Sequence, residues 1–165
     1  MKPISEELVE DSWQEVAMFN QSQISKGMKD ASKQQPHLFA FMMAFTQDLD
    51  QEVKELAIYM FYNVYRIFKV SYKKRLNKIS SKDIIKCYEH NEQFIENLNG
   101  THDKFIDRIG RNQGSEQPYV MKYVLETLFE APDVEEPVEL TEEDTGYLFM
   151  LFKTVIELLN ETTNA

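Results

Sequence analysis

The chain has too little glycine and proline for the many tight turns of an all-β protein, five of each in 165 residues. The good helix formers leucine, glutamate, lysine and glutamine are plentiful instead. A single cysteine, Cys87, excludes an internal disulfide, and no apolar stretch follows Met1 to make a signal peptide. Together these read as a chain of the reducing cytoplasm. Long hydrophobic runs are missing too. The longest, residues 38–45 and 56–62, fall far short of the ~20 residues that span a bilayer, so no membrane segment is expected.

Compact catalytic motifs are equally scarce. The residues three before His37, His90 and His102 are Gln34, Cys87 and Asn99, so no Glu-x-x-His pair exists for a ferritin-like di-metal site. There is no His-Glu-x-x-His, no Gly-x-Ser-x-Gly and no glycine-rich phosphate loop. Cys87 and His90 stand three apart, with His102 and Asp103 beyond a turn, and could share a zinc ion. Structural zinc normally uses paired Cys or His motifs, however, and a half-buried thiol beside a solvated histidine accounts for the same residues. His102-Asp103 is similar to the metal-binding dipeptide of phosphohydrolases. Thr101 capping a helix with Asp103 in its first turn explains that dipeptide without a metal. No cofactor is expected, and the balance leans away from an enzyme. Asn99 and Asn160 begin Asn-x-Thr triplets, which would matter only in a secreted chain.

What the sequence has is helical punctuation. Ser5 followed by Glu6-Glu7 predicts a helix start, with apolar residues at helical spacing to about Ser32 and a soft join near Asn20. Gln35-Pro36 restarts the chain, since proline suits the first helical position. The helix that follows is apolar on every face over residues 38–45, which predicts a core helix. Asp48 or Asp50 caps a long helix to about Asn77, greasy over residues 56–68. Ser80 or Ser81 caps another, Asn99-Gly100 ends it, and Thr101 caps a short one through Ile109. Gln117-Pro118 is a second restart, and Thr141 caps the last helix to about Asn160.

The fold expected is therefore all-α, one domain over residues 1–165, a single bundle of six or seven helices with segments 56–68 and 147–159 at its centre. The two Gln-Pro starts suggest a tandem duplication of a short-helix/long-helix unit, residues 35–68 and 117–159. Aligned in two blocks, Gln35, Pro36, Leu49, Glu52, Phe61 and Val64 fall on Gln117, Pro118, Leu140, Glu143, Phe152 and Val155.

The net charge of −10 is held unevenly, because residues 1–75 are balanced at ten acids and ten bases. Residues 66–86 carry eight bases against one acid, and residues 130–144 eight acids and no base. A basic turn of this kind can grip phosphate, which keeps a nucleic-acid-associated protein as an alternative, although the overall acidity argues against broad nucleic-acid binding. A helical enzyme assembled from dispersed residues is the other alternative. The preferred expectation is a non-catalytic interaction or scaffold domain pairing with a protein, a second copy included. Its candidate surface comprises Lys73, Lys74 and Arg75, the tyrosines Tyr59, Tyr62, Tyr65 and Tyr72, and Glu135 and Glu136, since tyrosine tolerates water yet contributes area at interfaces.

Overall fold

A computed structural model describes residues 2–73, 76–97, 115–130 and 138–163, apart from the side chains of 95–97. Seven helices and no strands are found among them: α1 Glu6–Ala17, α2 Gln21–Gln34, α3 Pro36–Phe45, α4 Gln51–Tyr72, α5 Ser81–Asn97, α6 Pro118–Phe129 and α7 Glu142–Thr163. The expected start at Thr101, with the short helix after it, lies outside the described residues.

The starts follow from side chains that satisfy free N–H groups. Ser5 Oγ accepts from Leu8 N, and Ser80 Oγ from Asp83 N. At the soft join, Asn20 and Gln23 form a reciprocal capping box that separates α1 from α2. Thr141 and Asp144 exchange the same pair of bonds ahead of α7. Asp50 occupies the cap position of α4, but its side chain makes no capping hydrogen bond.

α4 ends five residues before the expected Asn77. Lys73 turns left-handed at φ 47°, and the chain leaves the helix so that Leu76 and Ile79 can be buried on the way to α5. A lysine in this conformation costs ~1–2 kcal/mol, a strain the burial of those two side chains offsets.

α4 and α7, both 22 residues long, pack against each other at the centre. They bury Met60, Phe61, Val64, Ile67 and Phe68 from one and Leu148, Leu151, Phe152, Val155 and Leu159 from the other. α1 and α2 cover α4, while α5 and α6 cover α7. α3 lies on α2, α4 and α5, and α6 reaches α1 as well. The expected core helix α3 is only half inside: Leu38, Phe41 and Met42 are buried, whereas Ala40, Met43 and Ala44 are exposed. Periodicity alone could not reveal this, because a helix apolar on every face gives no sign of which face lacks a neighbour.

Candidate interaction surface

Two buried glutamines set the frame. Gln35 and Gln117 precede the prolines of α3 and α6 with nearly the same backbone, φ −130°, ψ 67° and φ −124°, ψ 70°. Gln35 Nε2 donates to the Asn77 carbonyl at 2.8 Å, and its Oε1 accepts from Ile79 N at 3.0 Å. Gln117 Oε1 accepts from Ile4 N at 2.8 Å, and its Nε2 donates to Asn160 Oδ1 at 2.8 Å. Each glutamine thus ties the start of a short helix to the Ile-Ser dipeptide that opens another, Ile79-Ser80 before α5 and Ile4-Ser5 before α1.

The correspondence continues along α1 and α5. Val9 and Ile84, both buried, follow their serine caps by four residues. Arg66 of α4 donates to Ser12 Oγ at 2.9 Å and lies over the Phe19 ring at 5.2 Å. In the other half Cys87 Sγ lies 3.4 Å from Glu157 Oε2, and Lys153 of α7 sits over the Phe94 ring at 4.9 Å. Asn91 completes that second cluster, donating to Thr154 Oγ1 and Glu157 Oε2 and accepting from Lys153. Burial, then the nearby Glu157 carboxylate, pushes the Cys87 thiol up to about 12. A thiol so protonated is a poor nucleophile, and the cluster acts as a polar clasp of α5 on α7. Its members belong to the second half alone, whereas the zinc set weighed and set aside above needed His102 and Asp103, which lie outside the described residues. Among the described residues no group of three His, Cys, Asp or Glu side chains is placed to hold a metal ion.

Gln35 also fixes how α3 sits beside α5. Its bonds to residues 77 and 79 bring the two helix starts together, and further along Phe41 and Phe45 meet the Tyr88 ring at 5.7 and 4.7 Å. The two helices therefore run side by side in the same direction. Their outward residues form one face: Ala40, Met43 and Ala44 from α3, and Lys82, Ile85, Lys86, Glu89 and Glu92 from α5. Met43 is 37% and Ile85 42% exposed.

At the carboxyl end of α3 this face meets a cleft of about 380 Å³ with an apolar wall of Ala44, Phe45, Leu49 and Tyr147 and a rim of Asp48, Glu143 and Asp144. The Tyr147 hydroxyl donates to the Phe45 carbonyl at 2.7 Å. Burial raises the pKa of Tyr147, and the carboxylates of Asp48 and Glu92 raise it further. Tyr88 is pushed up to about 12, by burial first, then by Tyr147 and Glu92.

α6 offers an internal comparison, because it enters from Gln117-Pro118 as α3 enters from Gln35-Pro36. Five residues after its glutamine stands Lys122, and nine after it Glu126. The two pair at 3.8 Å, and Lys122 also reaches Glu6 at 3.1 Å. The positions with those offsets in α3 are Ala40 and Ala44. One short helix turns an ion pair to the outside, and the other turns alanines.

The residues expected to form the surface are scattered by the fold. Tyr62 and Tyr65 are buried, Tyr62 against Gly27 of α2, so neither presents area to a partner. Tyr59 and Tyr72 are half-buried. Lys73 is exposed at the end of α4, while Lys74, Arg75, Glu135 and Glu136 lie outside the described residues. Of the other bases in the 66–86 run, Arg66 is taken up by Glu15 and Ser12, and Lys69 by Asp30. Lys78, Lys82 and Lys86 remain exposed. Sequence reasoning missed α3 as a surface element, and the signal was available in the contrast between residues 40 and 44 and their charged counterparts 122 and 126.

No known family model matches the chain, and no curated protein or solved structure matches it either. No helix among the described residues is long and apolar enough to cross a membrane.

Proposed function

We propose that this protein is a non-catalytic interaction domain whose partner is another protein chain seated on the outer face of α3 and α5. The observation that carries the proposal is that Ala40, Met43 and Ala44 are exposed on a helix with no polar side chain from residue 38 to 45. Scattered exposed apolar residues are ordinary on any surface. Here Ala44 is also part of the apolar wall of the cleft, and Ile85 is exposed on the neighbouring α5; apolar exposure gathered in this way is a mark of interaction sites. The comparison with α6 supports the same conclusion, since a Lys-Glu pair is compatible with this helix position when it faces water.

The test is the double variant A40K/A44E, which gives α3 the outer face of α6. The helix keeps its buried residues, so folding should be retained by circular dichroism and thermal melting. Association, read by cross-linking of the purified chain and by affinity capture with it as bait, should be lost. Unchanged association in a folded variant would remove the proposal.

The matched glutamine anchors and serine caps, with Val9 and Ile84 buried four residues after each cap, support a second proposal, that the chain is a tandem duplication. Its unit would then include α1 and α5 as well as the short and long helices, running from Ile4 to Tyr72 and from Ile79 to Thr163.

A further inference from the structure

The charge pattern on this same face points to its occupant. α3 and α5 run in one direction, so the face has two unlike ends. Beside the start of α3 stand Lys78 and Lys82, with Lys86 near its middle, all exposed. Toward its finish stand Glu89, Glu92 and Asp48, all exposed. Between the ends lie Ala40, Ala44 and Ile85. Lys82 and Glu92 are ten residues apart on α5, or ~15 Å at helical rise. That exceeds the ~8 Å screening length at physiological ionic strength, so a facing molecule meets the two ends as separate charges.

We infer that the partner is a second copy of this chain, packed face to face about a twofold axis that lies in the surface and crosses α3 at right angles. The inference rests on the partner-binding proposal above. Such an axis reverses the helix direction and brings α3 onto α3 and α5 onto α5. With the axis at the level of Met42, midway between Ala40 and Ala44, the facing level on α5 is near Cys87. Lys82 of each copy then faces Glu92 of the other, and Lys86 faces the turn that holds Glu89. A twofold contact must be complementary to itself, and a face that is basic at one end and acidic at the other meets that requirement only when antiparallel. A parallel pairing would set lysine on lysine and glutamate on glutamate. At the centre the alanines let the two α3 helices approach closely, with Met43 and Ile85 filling the flanks. The acidic cleft beside Ala44 comes to lie over the basic end of the partner.

The experiment is sedimentation velocity of the full chain at micromolar concentration in low salt, with two charge-reversal variants, K82E/K86E and E89K/E92K. All four positions are exposed, and circular dichroism would verify that each variant is folded. The wild type should sediment as a dimer. Each variant alone should associate at least tenfold more weakly, because its α5 stripe becomes all acidic or all basic. An equimolar mixture of the two should recover a dimer, which excludes misfolding as the cause of the loss. A monomeric wild type throughout, or a dimer indifferent to both reversals, overturns the inference. If the wild type is monomeric but captures a different protein in a manner abolished by A40K/A44E, the second-copy inference fails while the partner-binding proposal stands.

Discussion

Replacing Gln35 by leucine is the sharpest probe of how the bundle is held. The two side chains are similar in volume, so the cavity term is small, and the change isolates two hydrogen bonds. It leaves the Ile79 N–H and the Asn77 carbonyl without the partners they have at 3.0 and 2.8 Å, around a site where Gln35 itself is fully buried. The buried Ile79 N–H left unsatisfied costs up to ~3 kcal/mol and loss of the part-buried bond to the Asn77 carbonyl ~1 kcal/mol, so the two together cost ~4 kcal/mol. Burial of the leucine returns ~2 kcal/mol. The net loss is ~2 kcal/mol, which in a chain of this length lowers the melting temperature by ~4–8 °C. Gln117→Leu strands the Ile4 N–H and the Asn160 Oδ1 in the same way, and should cost about as much if the two glutamines play equivalent roles. They share no partner, so the double variant should lose the sum within ~0.5 kcal/mol. Exposed Gln47→Leu is the control and should move stability by less than ~0.5 kcal/mol. Urea unfolding monitored by circular dichroism reads all four. A loss below ~0.5 kcal/mol in either single variant would refute the anchoring role, and a large loss in only one would refute their equivalence.

Two further outcomes follow from local geometry. Gly27→Ala places a methyl group into the phenol end of Tyr62, which is buried between α2 and α4. Overpacking of ~1–3 kcal/mol then outweighs the ~1 kcal/mol gain in helix propensity, so the variant should melt lower, and the loss should shrink in a Tyr62→Phe background that removes the nearest atom. The Cys87 thiol keeps its proton to about 12 in the fold, against an ordinary value of 9.0. Above pH 9 the unfolded chain therefore releases a proton that the folded chain retains, so the thiol's contribution to stability is level below that pH and falls as pH rises from 9 toward 12. Cys87→Ser should flatten the part of that slope due to the thiol, measured as urea midpoints against pH, and an unaltered slope would show that the thiol is not the group responsible.

Helix starts were legible because each carries its own local chemistry: serine at 5 and 80, proline at 36 and 118, and the Thr141–Asp144 pair all act within a turn of themselves. The central pairing of α4 and α7 was legible as well, since residues 56–68 and 147–159 have apolar side chains on too many faces to sit at the rim. Coverage was not legible. Tyr62 and Tyr65 read as interface candidates by residue type, and only the placement of α2 over them shows that they are inside. In α3 the opposite error arose, because an all-apolar helix was expected to be covered and half of it is not. Buried polar residues were the hardest to foresee. Gln35, Asn91 and Gln117 find their partners 42, 63 and 113 residues away, and no short-range pattern encodes such a bond. The two Gln-Pro helix starts were visible through their prolines, whereas the role of each glutamine depends on an Ile-Ser dipeptide far from it in sequence.

The most direct test of a partner on the α3–α5 face is oxidative footprinting of methionine under associating and dissociating conditions. Met43 lies on that face at 37% exposure, and Met18, at the end of α1, is 85% exposed and provides an internal reference. Association should slow oxidation of Met43 several-fold relative to Met18. Equal protection of both, or protection of Met18 with Met43 unchanged, would place the partner elsewhere and contradict the account.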